Sequence, residues 1–439
     1  MTTLANEIVI PSKWDIIPIH TSDRETFKDC RRKWDWSSPA RKNLVRKVKV
    51  HGVIMHFWFG TGIHLALQKY YDPVLKEDPV KVFEEWFNTE WNGGIVHFND
   101  LEQYADRDPS PMTSNGTLFD PHTGKEVYIR WMIKGLSELL PDPDFELFEQ
   151  HRVLGIGMLN YYKDYAARED NFRVVATEHT FSVPIQDEFG QTLYLPDFRR
   201  MPDWWSVDPL YGYEEGNHTR KQVHARGRRD AIVQDLENGQ YGIIDHKTAR
   251  AIDEDYFRHL DLDEQCTTYM WASEREAEIY DTEYKKIDFV IYNALRKAFP
   301  TPPTITSRGL PSLDRQKEST TAAMFDKCIK DNGLELILQG DPKMQSYYTY
   351  LLEQGEKLFI QRGAPGHPYV TRNKHQKAMV GKRLYYEAMD MLSDPAIYPN
   401  PTKRYSCLNC VFRQPCVMAE DGSDYEFVLS DSYQPNYDR

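Results

Sequence analysis

The sequence predicts an α/β protein. Three observations carry this. The segment Phe172–Ile185 and the runs Gly227–Val233, Tyr241–Thr248 and Ile287–Tyr292 are rich in β-branched and aromatic residues, as strands are. Segments with helical apolar spacing lie on both sides of them. Asn238-Gly239 falls between two apolar runs, which is a hairpin signal. With 439 residues, 40% hydrophobic and 13% aromatic, the chain can bury a core and exceeds one small domain.

In chain order, the first sixty residues hold Cys30 and a basic stretch. Thr61–Tyr70 has the apolar spacing of a helix. Asp78-Pro79 reads as an N-cap with proline at the first helical position, and Val82, Phe83, Trp86 and Phe87 form its buried stripe. The large stretch from Asp72 to Asp144 reads as a helical cap, and a long helix follows from about Asp144 to Ala167. The strand Phe172–Ile185 precedes a polar, aromatic insertion from Leu195 to Val223. The hairpin comes next, then a helix carrying Gln265 to Ala272 and a strand at Ile287–Tyr292. Pro300, Pro302, Pro303 and Pro311 mark a loop. Helices over 343–361 and 370–393 flank the Gly363–Pro368 linker, and the acidic tail after Cys416 reads as loosely ordered.

These elements divide the chain into an N-terminal segment (1–60), a helical region carrying His64 (61–170) and a central core with the insertion (171–298). A helical C-terminal region (299–400), a three-cysteine segment (401–420) and an acidic tail (421–439) follow.

Formal net charge is −13, so a passive coat on nucleic acid is excluded. Local basic patches occur at Arg31-Arg32-Lys33, Arg41–Lys49, Arg226–Arg229 and Lys374–Arg383. Any one of them is by default a solvated face. No basic leader with an apolar run and no membrane-length apolar stretch is visible, so the expectation is a cytoplasmic protein with reduced thiols and no membrane contact. No G-x-x-x-x-G-K-[ST] loop occurs; ATP dependence would need a partner.

Asp245-His246-Lys247 ends the apolar run Gly242-Ile243-Ile244. Residues two apart on a strand share a face, so Asp245 and Lys247 point into one site. The hairpin returns Asp230 to the neighbourhood of Asp245. Two adjacent carboxylates repel unless a cation lies between them, and hard oxygen ligands favour Mg²⁺ or Mn²⁺. Such an ion would polarise a phosphate, with Lys247 orienting water and stabilising developing charge. A D-x-K tripeptide alone is common and more often a surface pair; its place at the end of an apolar strand, where unpaired charge is costly, argues otherwise.

His64 follows Gly60-Thr61-Gly62 on a helix and is a further candidate ligand, although a lone histidine is more often structural. Gln265 and Tyr269 are four apart on one helix face and are candidates to contact phosphate or orient the lysine. Glu178, on the strand before the insertion, is a weaker candidate near the metal.

Six cysteines are present. Cys407, Cys410 and Cys416 form a C-x2-C-x5-C cluster that needs a fourth ligand for tetrahedral zinc or a cubane iron–sulfur cluster, and Cys30 is the remote candidate. Spacing alone does not separate the two metals. Cys266 and Cys328 read as ordinary buried thiols.

In order, Cys30, His64, Gly227-Arg-Arg-Asp230, Asp245-His-Lys247, Gln265-x-x-x-Tyr269 and Cys407/Cys410/Cys416 resemble the RecB-type, iron–sulfur branch of the PD-(D/E)XK nuclease superfamily. That branch includes CRISPR-associated and phage-encoded exonucleases and the AddB-type nuclease domain. The resemblance implies a restriction-endonuclease-like core, a mixed central sheet flanked by helices, with helical additions and a cluster region joining the two chain ends. It implies a 4Fe–4S cluster on Cys30, Cys407, Cys410 and Cys416. It also implies Mg²⁺ or Mn²⁺ on His64, Asp230, Asp245 and the His246 carbonyl, with Lys247 catalytic and Gln265 and Tyr269 assisting. The expected activity is exonuclease action on DNA with free ends, in phage or host recombination, repair or processing. A helicase or a recombination/annealing protein is the implied partner, in the host cytoplasm if the chain is phage-encoded. The alternatives are a non-catalytic DNA-binding accessory subunit, which should lack a carboxylate or the lysine, and a nuclease whose cluster responds to redox state.

Overall fold

The computed structural model describes residues 16–46, 55–97, 110–111, 117–119, 126–128, 130–139, 144–196, 220–315, 319–363, 367, 369–393, 395–400, 407–408 and 410–435. Its centre is a seven-stranded mixed sheet. The strands are β1 (Ile16–His20), β2 (Phe172–Pro184), β3 (Tyr194–Pro196), β4 (Arg220–Asp235), β5 (Tyr241–Ala249), β6 (Phe289–Arg296) and β7 (Ile360–Arg362). The main path is β1-β4-β5-β6-β7, with β2 and β3 also on β4. β1 runs parallel to β4 and β5 parallel to β6, whereas β4/β5, β2/β4 and β6/β7 are antiparallel.

The expected hairpin forms, with Gly239 taking a φ of 71° in its turn. Side chains alternate across β5. Ile243 packs into a core under α6 (Glu264–Ile279) and α9 (Lys374–Leu392). Ile244 faces the other way, with Ala231, Val233, Phe289 and Ile291. That second side is covered by α3 (Met55–Tyr71), α4 (Pro79–Asn92) and α5 (Phe145–Glu169), whose aromatic core includes Phe59, Phe83, Phe87 and Tyr162. Burial on both sides explains why residues 242–244 and 289–292 read as continuous apolar runs. Asp78 caps α4 as anticipated, accepting from Val80 N–H at 2.9 Å, and Asp144 caps α5, accepting from Leu147 N–H at 2.9 Å.

Several expectations are corrected. The five residues Ile16–His20 form a sheet strand that the sequence reading left unassigned. The insertion is shorter than Leu195–Val223, because Leu195 lies in β3 and Arg220–Val223 in β4; residues 197–219 lie outside the described residues. Asp72–Asp144 is not purely helical: after α4, strands Gly93–His97 and Arg130–Lys134 pair antiparallel. The helix expected over 343–361 ends at Gln354, and Ile360–Arg362 joins β6 as an edge strand. Burial of Phe359 and Ile360 in the α3–α5 core draws this segment out of the helical path.

Within the tail after Cys416, residues 417–435 carry regular structure. α10 (Arg413–Asp421) and α11 (Tyr425–Ser432) precede a strand, Tyr433–Pro435, that pairs with Leu44–Arg46. Asp424 caps α11 by accepting from Phe427 N–H at 3.0 Å, and Trp36, Phe412, Val428, Leu429 and Tyr433 form a small core there. The two ends of the chain are thus joined by a β-ribbon and an apolar cluster. Among the described residues no helix is long and apolar enough to cross a membrane.

Candidate active site

The sheet splits along one edge of β4. β1 pairs with it as far as His20↔Arg226, and β5 begins only at Ala231↔Ile244. Gly227-Arg228-Arg229-Asp230 spans the gap between these neighbours. Across the other edge β2 follows β4, and its Phe181 ring lies so close to Gly227 that a Cβ there would sit 2.7 Å from it. Glycine at the head of this segment is therefore a packing requirement.

At the end of the β4/β5 ladder, the His246 main-chain N–H donates to Asp230 Oδ2 at 2.6 Å. The carboxylate takes the donor that the ladder leaves. His64, on α3, brings its Nδ1 to 3.6 Å from the same oxygen. On the same helix, Gly62 lets α3 pack closely on α4; a Cβ there would fall 2.1 Å from the Trp86 ring. Burial opposes ionisation of Asp230, but His64, His246 and Lys247 hold its carboxyl well below the usual range. Burial likewise opposes protonation of His64, and the Asp230 charge outweighs it, raising the imidazole.

Asp245 and Lys247 fall on the Ile243 side of β5, toward α6. Lys247 Nζ donates to Asp245 Oδ1 at 2.9 Å and lies 2.7 Å from Oδ2. Oδ2 is buried and has no directional hydrogen bond. Burial first, and the Asp230 charge in addition, push the Asp245 carboxyl up to about 6 against the pull of Lys247. Burial works against the Lys247 ammonium, yet Asp245 and Asp230 keep it well above its ordinary value. Gln265 Nε2 donates to Tyr269 OH at 2.8 Å on α6, and Tyr269 is raised by burial and by the Asp245 charge. The lysine, both carboxylates and this pair therefore form one electrostatic unit.

Glu178 also belongs here. It sits on β2 between the rungs His179↔Arg229 and Thr177↔Ala231, with a φ of 48°. A non-glycine residue held in the left-handed region inside a strand costs on the order of 1–3 kcal/mol. Its Oε2 is buried with no directional hydrogen bond and lies 2.5 Å from Arg228 Nε. Burial raises its carboxyl, with Asp230 adding to the effect and Arg228 and His64 opposing it.

The His246 ring points away from the carboxylates. It stacks on Tyr71 at 5.5 Å and meets Asn293 Nδ2 at 2.8 Å through Nδ1. Asn293 continues to Tyr162 OH at 2.9 Å, Tyr162 to Tyr71 OH at 2.7 Å, and Tyr71 donates to Asp170 at 2.8 Å, which Arg362 pairs. Burial lowers the imidazole to about 3, and because the ring is turned to Tyr71 and Asn293, any ligation by His246 would use the main-chain carbonyl. The sequence reading missed this network. Its one signal was the polar Asn293 inside the apolar strand Phe289–Leu295.

The basic patch Arg226–Arg229 resolves into separate roles. Arg229 is fully buried, bound to Glu276 Oε2, 3.3 Å from Tyr284 OH and 3.1 Å from His179 Nδ1. Arg228, beside Glu178, is 69% exposed.

Donor chemistry fits a hard divalent ion: carboxylate oxygens without directional partners on Asp245 and Glu178, the Asp230 carboxylate and an imidazole. Side-chain spacing is nonetheless loose. Among the described residues no group of three or more His, Cys, Asp or Glu side chains stands close enough to hold a metal ion.

That spacing applies equally to the cysteines, all six of which are free thiols. Four of them share one neighbourhood. Asn400 N–H approaches Cys30 Sγ at 3.5 Å, and Cys407 Sγ lies 4.0 Å from Asn400 O. Arg32 donates to Cys416 Sγ at 3.6 Å. Burial raises the Cys410 thiol, and Cys30 and Cys416 add to the shift. Cys266 and Cys328 are buried elsewhere.

A sequence-family model described as PD-(D/E)XK nuclease superfamily matches residues 136–417, more than half of the chain. The match takes in Glu178, Asp230, Asp245, Lys247, Gln265, Tyr269 and the three clustered cysteines, and begins after Cys30 and His64. No curated protein matches the chain.

Proposed function

The chain belongs to the PD-(D/E)XK nuclease superfamily, and on that premise we propose that it is a Mg²⁺- or Mn²⁺-dependent DNA exonuclease acting at Asp230, Asp245 and Lys247. The observation that carries this reading is the meeting of these three side chains where the sheet splits, with Asp245 Oδ2 buried and lacking a directional partner. His64, Asp230, Asp245 and the His246 carbonyl would hold the ion. Bound there, it supplies Lewis-acid charge to the scissile phosphate. Asp245 and Lys247 must separate for this, which frees Nζ to orient the attacking water and to stabilise charge on the phosphorane. Gln265 and Tyr269 hold the lysine side of the site, and Glu178 is a further ligand candidate on the strand opposite Asp230.

The proposal includes the RecB-type branch and a structural 4Fe–4S cluster on Cys30, Cys407, Cys410 and Cys416. Its support is that Cys30 and Cys407 both lie at Asn400 and Cys416 at Arg32, and that Cys30 and Cys416 act on the Cys410 thiol. Visible absorption together with iron and zinc content tests this, and zinc without iron would refute it. DNA with free ends is the proposed substrate, and recombination or repair with a helicase or annealing partner is the proposed setting. Digestion of 5′- and 3′-labelled, linear and circular DNA with Mn²⁺ tests the activity. Nucleotides or short oligonucleotides released from linear DNA alone support exonuclease action; equal cutting of circles opposes it.

A further inference from the structure

We propose that Arg228 binds the substrate phosphate next to the scissile one, exchanging Glu178 for DNA. This rests on the nuclease reading. The protein carries a formal charge of −13 and several carboxylates crowd this site, so approach of a polyanion needs an exposed local cation. Most nearby cations are committed. Lys247 is paired with Asp245, Arg229 is buried with Glu276, and Arg24 is buried between Glu264 and Glu387.

Arg228 differs. It lies two residues from Asp230 in the gap between β1 and β5, and its side chain is 69% exposed. Its only described ion-pair partner is Glu178, touched through Nε without a directional hydrogen bond. The forked guanidinium can grip a phosphate bidentately, which Lys cannot reproduce. Glu178, held in an uncommon backbone conformation across from Asp230, aims its carboxylate at the same place. With substrate bound, Arg228 would turn to the phosphate, and Glu178, released from it, would be free to join the residues that could hold the ion.

Two measurements test this. In a Lys247→Ala background that binds without cutting, the salt dependence of binding to a short single strand is compared with and without Arg228→Ala. Loss of one phosphate contact should flatten the slope of log K against log salt by about 0.7. This arm needs no cleavage and so stands apart from the nuclease reading. In the cutting enzyme, Arg228→Ala should raise KM about tenfold with kcat little changed, the mark of a contact made equally before and during reaction.

A substrate with a neutral methylphosphonate next to the scissile linkage should impair the wild type and have little added effect on the variant. Arg228→Lys should recover only part of the loss. An unchanged salt slope, or equal impairment of wild type and variant by the neutral linkage, would overturn the assignment. Lowered thermal stability with intact binding would mean that Arg228 only pairs with Glu178.

Discussion

The His246 main-chain N–H donates to Asp230 Oδ2 at 2.6 Å, across the point where β4 and β5 cease to pair. One candidate ligand is therefore aimed by the backbone of the strand that carries the other carboxylate and the lysine. Whatever fixes His246 also fixes Asp230.

Asn293 is the test of that coupling. It is fully buried and serves His246, Tyr162 and Arg362 together. Asn293→Ala should leave these groups unsatisfied and lower stability by about 2–4 kcal/mol. Mn²⁺ affinity, read by isothermal titration at a temperature where the fold is intact, should weaken as well. Unchanged affinity would mean the network is purely structural.

Gly62 sets the approach of α3. Gly62→Ala would drive a methyl into Trp86 and should cost about 1–3 kcal/mol in urea denaturation. Because His64 lies two residues on, cleavage should fall further than the folded fraction does.

Acid sensitivity should have a local source at His224. Burial lowers this imidazole to about 4, while it contacts Ser182 Oγ and Gln222 Oε1 at 3.0 Å. The unfolded chain takes up the proton near its ordinary value of about 6.5, so between that pH and about 4 it binds more protons than the folded state. The penalty is absent above about 6.5, grows as pH falls and reaches at most about 3 kcal/mol below pH 4. His224→Gln should lose less stability than the wild type between pH 7 and 4.5. Parallel stability–pH curves would contradict this.

The ribbon Leu44–Arg46/Tyr433–Pro435 and its apolar cluster link the N-terminal and C-terminal segments through backbone pairing and apolar contacts. If the proposed cluster is present, Cys410→Ser should abolish its visible absorption and lower the melting temperature, while the far-ultraviolet signal of the sheet core persists at 25 °C. Full absorption in the variant would exclude Cys410 as a ligand.

Much of this site is written locally. Asn238-Gly239 and the apolar runs around it define the hairpin, so Asp230, Asp245 and Lys247 could be brought together from sequence. Gln265 and Tyr269 follow from one helical turn. Long-range pairing is less legible. β1 is five residues with Pro18 in it, and it joins the sheet in parallel with residues some two hundred positions away. Arg228 and Arg229 are adjacent arginines in one basic patch, yet one is exposed beside Glu178 and the other is fully buried. Only the partners across the sheet and on α6 decide that difference. Glu178 gains its significance from a backbone angle that no residue pattern announces.

In the proposed reaction Asp230, Asp245 and Lys247 cleave DNA with a divalent ion. The most direct measurement is single-turnover digestion of end-labelled linear DNA by wild type and Lys247→Ala, each with Mn²⁺ and with chelator. The expected result is cleavage by the wild type with Mn²⁺ alone, and a rate at least about 100-fold lower for the variant, in line with loss of a charge-stabilising donor. Equal rates for the two proteins, or cleavage that persists in chelator, would contradict it.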